Sequence, residues 1–405
     1  MKPTKIEFSP LHGLASLGAG GLSVSFFVWL MFLTPHPDSP VPTYETLALA
    51  KVVSSNTGWI TFVTTMVAIM AVAHYSLLAW WLLKGRKLDT KTHAAMFAGE
   101  AHIFKMVAPL VLAMSVNAGF VVGLVFVPGL WSVKEYLFPF ALLAFLILFV
   151  VASKRWSDQQ ALLRSQRLTY EGKGLIELLA TFAFAMITVG FSASAAMSTT
   201  AWIHTTGIAL SLAGAAMTIL AATRVLRDRL PGLRQNPVAA AATGSLLMGV
   251  PILTVLGIAV YRIMMAGKHH FDLPVGISLV TATLAAIFLS QILIFLVATP
   301  TLLRRGGWRT LIAEQPQAAS FSLICPGVGL FVLGMFLVSN GLIPSGLLSP
   351  SSATAAYTAL GVLQAATVAL FAYLLVKAMP SKRRDQKAAG HNLQTLGSSA
   401  KQALR

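Results

Sequence analysis

Cys325 is the single thiol among 405 residues, and it stands directly before Pro326 in an apolar stretch continued by Gly327 and Gly329. A thiol there could meet thiophilic or oxidising anions such as sulfite, thiosulfate or tellurite, and its oxidation would change the bore of whatever it lines. With no second cysteine, an intramolecular disulfide and a cysteine-based zinc or iron–sulfur site are excluded. The alternative is a small packed hydrophobe with an inert thiol.

Histidines offer haem or metal chemistry. Haem held between helices needs histidines facing one another at like depth. Only His74 lies deep in an apolar stretch, and it lacks an obvious partner, so no haem is expected. His102 and His204 fall near the ends of such stretches. His269, His270 and Asp272 are ligand types, but adjacent histidines in an outside loop read as solvated, and no metal site is expected. No nucleophile–base constellation is present, so an enzyme is not expected.

The acids decide more. Of the 13 Asp and Glu residues, 12 fall in loops or at stretch ends, and Glu177 lies within one turn of an end, where a carboxylate can snorkel. Carboxylate-free spans argue against a proton or cation pathway and permit an anion route. Lys105 and His102, at the start of the third stretch, are the candidate mouth residues, with membrane anchoring as their alternative role.

These residues must be positioned by membrane helices. With 56% hydrophobic and only 11% charged residues, the chain is neither a water-soluble enzyme nor disordered. Ten stretches reach the roughly 20 apolar residues a span needs: 14–34, 57–83, 105–130, 136–153, 175–197, 202–222, 239–261, 273–300, 318–341 and 353–378. If both termini lie inside, 26 of the 30 Lys and Arg fall on inside segments. Lys51, Lys134, Arg262 and Lys268 remain outside. That bias explains the net charge of +17 without nucleic acid and puts both ends in the cytoplasm, as for a plasma or inner membrane protein. The organisation expected is a cytoplasmic N-terminus (1–13), a ten-helix domain (14–378) and a basic, disordered cytoplasmic tail (379–405).

Short outside connections pair the helices as five antiparallel hairpins. Odd spans carry the irregular residues: Gly18, Gly20 and Gly21 in the first, Pro109 and Asn117 in the third, Pro251 in the seventh, Pro326 in the ninth. The fifth instead has Phe182, Phe184 and Phe191. A mid-membrane proline frees a carbonyl that lipid cannot satisfy, so such helices belong in the protein interior or along a wet path. The plainer reading of the glycines is close helix packing.

Five hairpins, kinked odd helices and the opening Phe8-Ser9-Pro10 with Leu17-Gly18-Ala19-Gly20-Gly21-Leu22-Ser23 resemble the tellurite-resistance/dicarboxylate transporter superfamily, which includes slow anion channels. The resemblance implies an all-α fold of ten transmembrane helices as five hairpins around a central pore lined by the odd helices, and a homotrimer. Channel members place a Phe-Pro pair of the ninth helix across the pore as a gate. Here that pair is Cys325-Pro326, which is similar to a sulfur-metabolism branch labelled TsoY, where cysteine or selenocysteine can stand at this position. With the ring gone, Phe321, Phe182 or Phe184 must close the path, and Cys325 should approach Asn117 and the glycines of the first helix. The function implied is a channel or transporter for small anions, sulfur oxyanions or tellurite among them, without a cofactor. The alternative is a quinone-interacting membrane anchor subunit of a respiratory complex.

Overall fold

The computed structural model describes residues 9–37, 39–53, 56–86, 98–164, 170–229, 247–304 and 318–378. The segment before Ser9, the tail from residue 379, the side chain of His102 and much of the basic inside connections lie outside the described residues.

Eleven helices follow in order: α1 (Gly13–Leu33), α2 (Tyr44–Val53), α3 (Thr57–Arg86), α4 (Ala98–Phe126), α5 (Lys134–Arg164), α6 (Tyr170–Met197), α7 (Ala201–Arg224), α8 (Gly249–Phe271), α9 (Ile277–Arg304), α10 (Cys325–Leu337) and α11 (Pro350–Ala378). A 3-10 segment (Ala318–Ile324) and a π turn (Val338–Leu342) flank α10 and complete its span. All except the short α2 belong to segments long and apolar enough to cross a bilayer, and the described residues contain no strand. The chain is a multi-pass helical membrane protein.

The ten spans form two rings. Inner helices α1, α4, α6, α8 and α10 bury 72, 50, 89, 44 and 78% of their apolar windows, whereas outer helices α3, α5, α7, α9 and α11 bury only 22 to 33%. The inner ring closes: α1 packs on α4, α4 on α6, α6 on α8, α8 on α10, and α10 returns to α1. Each outer helix packs on the inner helix of its own hairpin.

Lipid is as apolar as leucine, so these contacts rest on close packing and buried hydrogen bonds. The α6–α7 seam shows the first. Gly207, Ser211, Gly214, Thr218 and Ala221 make one buried stripe on α7. A Cβ at Gly207 would come within 3.0 Å of the Ala195 backbone, and one at Gly214 would collide with the Thr188 hydroxyl. The second is seen where His74 of α3 joins three helices. Its Nδ1 lies 2.7 Å from the Ser16 carbonyl of α1, and its Nε2 lies 2.9 Å from Ser115 Oγ of α4. The Ser16 hydroxyl donates back to the His74 carbonyl at 3.0 Å. His74 is therefore a tie between helices.

The prolines differ from expectation. Only Pro109 sits within an inner helix; Pro251 and Pro326 occupy first turns of α8 and α10, where a missing N–H costs nothing. Outer helices α5 and α9 also contain prolines, Pro139 and Pro300. Pro109, Pro251 and Pro326 are all buried rather than facing lipid. The carbonyl that Pro109 deprives of its helical partner, that of Lys105, accepts a hydrogen bond from Arg155 Nη1 of α5 at 2.7 Å.

The seventh span ends later than expected. Where the expected span ends at 261, the described helix Gly249–Phe271 continues to 271, so Arg262 lies within the helix, and Lys268, His269 and His270 form its last turn. Asp272 takes the left-handed conformation (φ 50°), and the Leu273 N–H turns back to the Gly267 carbonyl at 3.1 Å, which stops the helix there. His270 stacks on His204 of α7 with ring centroids 4.0 Å apart.

Glu177 is buried, with 1% exposure, rather than snorkelling outward. The long first connection folds as α2, and its Glu45 carboxylate accepts the Gly129 N–H (2.7 Å) from the turn between α4 and α5. That N–H holds the Glu45 carboxyl below its usual range.

Candidate functional site

Between the inner helices lies a cavity of about 120 Å³, room for several waters or one small organic ion. All five inner spans contribute, through residues such as Phe27, Asn117, Met186, Arg262 and Phe336, and α5 adds Phe138, Ala141 and Phe145. Val41 from the first connection and Met31, Leu124 and Met197 from helix ends place the cavity toward the end with short connections.

On α6, Gly190 admits the Phe145 ring of α5 to the wall: a Cβ there would fall within 2.3 Å of the ring, so the ring occupies the place a side chain would take. Methionines 31, 114, 186 and 197 add adaptable apolar wall.

Arg262 dominates the electrostatics. Among the described residues it is the one charged side chain lining the cavity. Its Nη1 donates to the Val189 carbonyl of α6 at 3.1 Å, and no other hydrogen bond or ion pair engages the guanidinium among the described residues. A guanidinium has five N–H donors and stays charged at neutral pH, so unused donors and an uncompensated positive charge border an apolar space. In lipid-surrounded protein such a charge is costly and has a functional reading by default. Asn117 joins it on the wall, with Nδ2 donating to the Ala113 carbonyl at 3.0 Å and a second N–H to spare. Asn117, Val189 and Arg262 each lie eight or nine residues from the ends of their helices at Phe126, Met197 and Phe271. They therefore share a level roughly 12–14 Å below those ends, at 1.5 Å per residue. Ser194 lies higher on α6.

Of the residues singled out in the sequence, Asn117 lines this cavity. Cys325, 5% exposed, lies near the opposite end of its span, and Ile324 and Val328 rather than Cys325 approach Gly18 and Gly21. Phe321 packs against Phe371 of α11, with centroids 6.4 Å apart. Phe184 packs against Phe149 and Trp156 of α5, and Phe182 is buried. Gly20 is where Met114 and His74 press closest on α1. Pro109, Pro251 and Pro326 are buried off the cavity wall. The Lys105 side chain is exposed, and the side chain of His102 is outside the described residues.

Sequence reasoning missed Arg262 as a site residue. Its signal was the sequence Ile263-Met264-Met265-Ala266-Gly267 that follows it, which extends the apolar run beyond the charge. Phe138 and Phe145, on an outer helix, had none.

Neither a described protein family, nor a curated protein, nor a solved structure matches this chain.

Proposed function

We propose that this protein carries small anions across the membrane through the space enclosed by its inner helices. The observation that carries the reading is Arg262: a lone cation with unused donors on the wall of a central cavity to which no carboxylate contributes among the described residues. In a low-dielectric surround, one fixed positive charge favours entry of an anion and opposes a cation by several kcal/mol. The cavity ends within the bundle, so transport requires the packed half of the ring, or the short-connection end, to open in turn.

The Lys/Arg bias supports cytoplasmic termini in a plasma or inner membrane: 26 of 30 basic residues fall on the inside segments, and Arg262 leaves the outside count for the membrane. On that orientation the cavity faces outward. Sulfur oxyanions or tellurite as cargo, and a homotrimer, rest on the superfamily resemblance alone.

The test is anion uptake by proteoliposomes containing the purified chain. Arg262→Gln should lower uptake about tenfold or more, since a loss of 1.4 kcal/mol at the binding step is already tenfold. Equal uptake by wild type and variant would remove the basis of the proposal.

A further inference from the structure

We propose that the cavity selects small organic monoanions with an apolar body, short-chain sulfonates or carboxylates, over inorganic oxyanions. This rests on the reading of the cavity as part of an anion path, and it names the class of anion.

Three features of the cavity lead there. The first is charge. Arg262 is the one charged lining side chain among the described residues, so it balances one negative charge. Thiosulfate or fully ionised sulfite would leave a second charge unpaired among Phe27, Phe138, Phe145 and Phe336, which burial penalises heavily. The second is the sparseness of donors. An inorganic oxyanion is hydrated on every side and needs donors all round it, whereas a sulfonate or carboxylate needs them only at its head. The wall supplies the spare N–H groups of Arg262 and Asn117 at one level and the Ser194 hydroxyl above them, and the rest of it is apolar. A carboxylate or sulfonate head can lie against the guanidinium and the amide while its hydrocarbon part takes the remaining wall. The third is room: about 120 Å³ exceeds what a bare halide or one oxyanion would fill, and an apolar tail would occupy the rest.

The series methanesulfonate, ethanesulfonate and butanesulfonate separates these effects, because sulfonates stay ionised and do not leak through bilayers as neutral acids. Each buried methylene should tighten binding about fourfold, so butanesulfonate, three methylenes longer, should bind about 60-fold tighter than methanesulfonate if all three are buried. Binding is read as ligand-dependent thermal stabilisation of the purified full chain, and flux as competition for labelled methanesulfonate uptake in proteoliposomes. The expected order is butanesulfonate above methanesulfonate, with chloride and thiosulfate weakest, and Arg262→Gln abolishing the stabilisation. Should that variant fail to fold, the wild-type series decides alone.

Flux with no dependence on chain length, or with thiosulfate or sulfite preferred, would overturn this inference and leave the anion path standing. Retention of the full series by a folded Arg262→Gln would likewise overturn it. Ordered binding without flux of any anion would instead refute the transport reading and leave the site. Absence of both binding and flux refutes both.

Discussion

The bond between Arg155 and the Lys105 carbonyl exists because Pro109 has no N–H, and that dependence can be measured. In an uninterrupted helix the residue at position 109 would donate to the carbonyl at 105. Proline leaves that oxygen without its helical partner, and Arg155 Nη1 takes the place at 2.7 Å. Arg155→Met keeps much of the stem and removes the donor. A hydrogen bond from a charged group contributes about 1.5–3 kcal/mol, and the lower end applies here, because Lys105 lies in the first turn of its span within reach of headgroup water. Pro109→Ala restores the helical N–H and makes the guanidinium redundant. Arg155→Met should therefore cost about 1.5 kcal/mol in the wild type and under about 0.5 kcal/mol in the Pro109→Ala background, a coupling of roughly 1 kcal/mol. The assay is a double-mutant cycle of unfolding free energies in mixed micelles. Equal costs in both backgrounds would show that Arg155 acts by packing or charge and that the proline account is wrong.

Other expectations follow from the same contacts. His74→Leu removes the ties to the Ser16 carbonyl and the Ser115 hydroxyl, while both serine hydroxyls keep backbone acceptors, and should cost about 1–2 kcal/mol, measured by the same unfolding titration. Because the Gly129 N–H holds the Glu45 carboxyl below its ordinary 4.5, its contribution to stability is full above that value and is lost as pH falls through the lowered one. Glu45→Gln should therefore lower stability near neutrality and flatten the acid limb of a stability–pH profile, with the two proteins converging at low pH. Cys325, 5% exposed and away from the cavity, should label slowly with a maleimide in the folded protein and quickly after denaturation. A small thiosulfonate reagent should leave uptake unchanged; loss of uptake on labelling would put the thiol on the path.

The spans were legible because a membrane helix announces itself by length and hydropathy, and nine of the ten fall close to where the sequence puts them. The exception shows the limit of that signal. From Val238 to Gly267 only Arg262 interrupts an apolar run longer than one bilayer crossing, so the register of α8 was undetermined by hydropathy alone. Taking the earlier register put Arg262 in water and hid the site's main feature. The inner and outer alternation was readable from glycine, serine and asparagine, whereas proline was a poorer guide: Pro251 and Pro326 initiate helices instead of kinking them. Partnerships such as His74 with Ser16 and Ser115, 58 and 41 residues apart, leave no periodic trace. Nor does a cavity, since the space beside Gly190 depends on where the Phe145 ring of a neighbouring helix comes to rest.

The central claim is that Arg262 makes the enclosed space an anion path. Its most direct test is the reversal potential of the purified protein in a planar bilayer under a tenfold gradient of potassium methanesulfonate. The account predicts a potential on the anion side, approaching roughly 59 mV for ideal monovalent selectivity, and a shift toward zero for Arg262→Gln. A potential of the opposite sign, set by potassium, would contradict it.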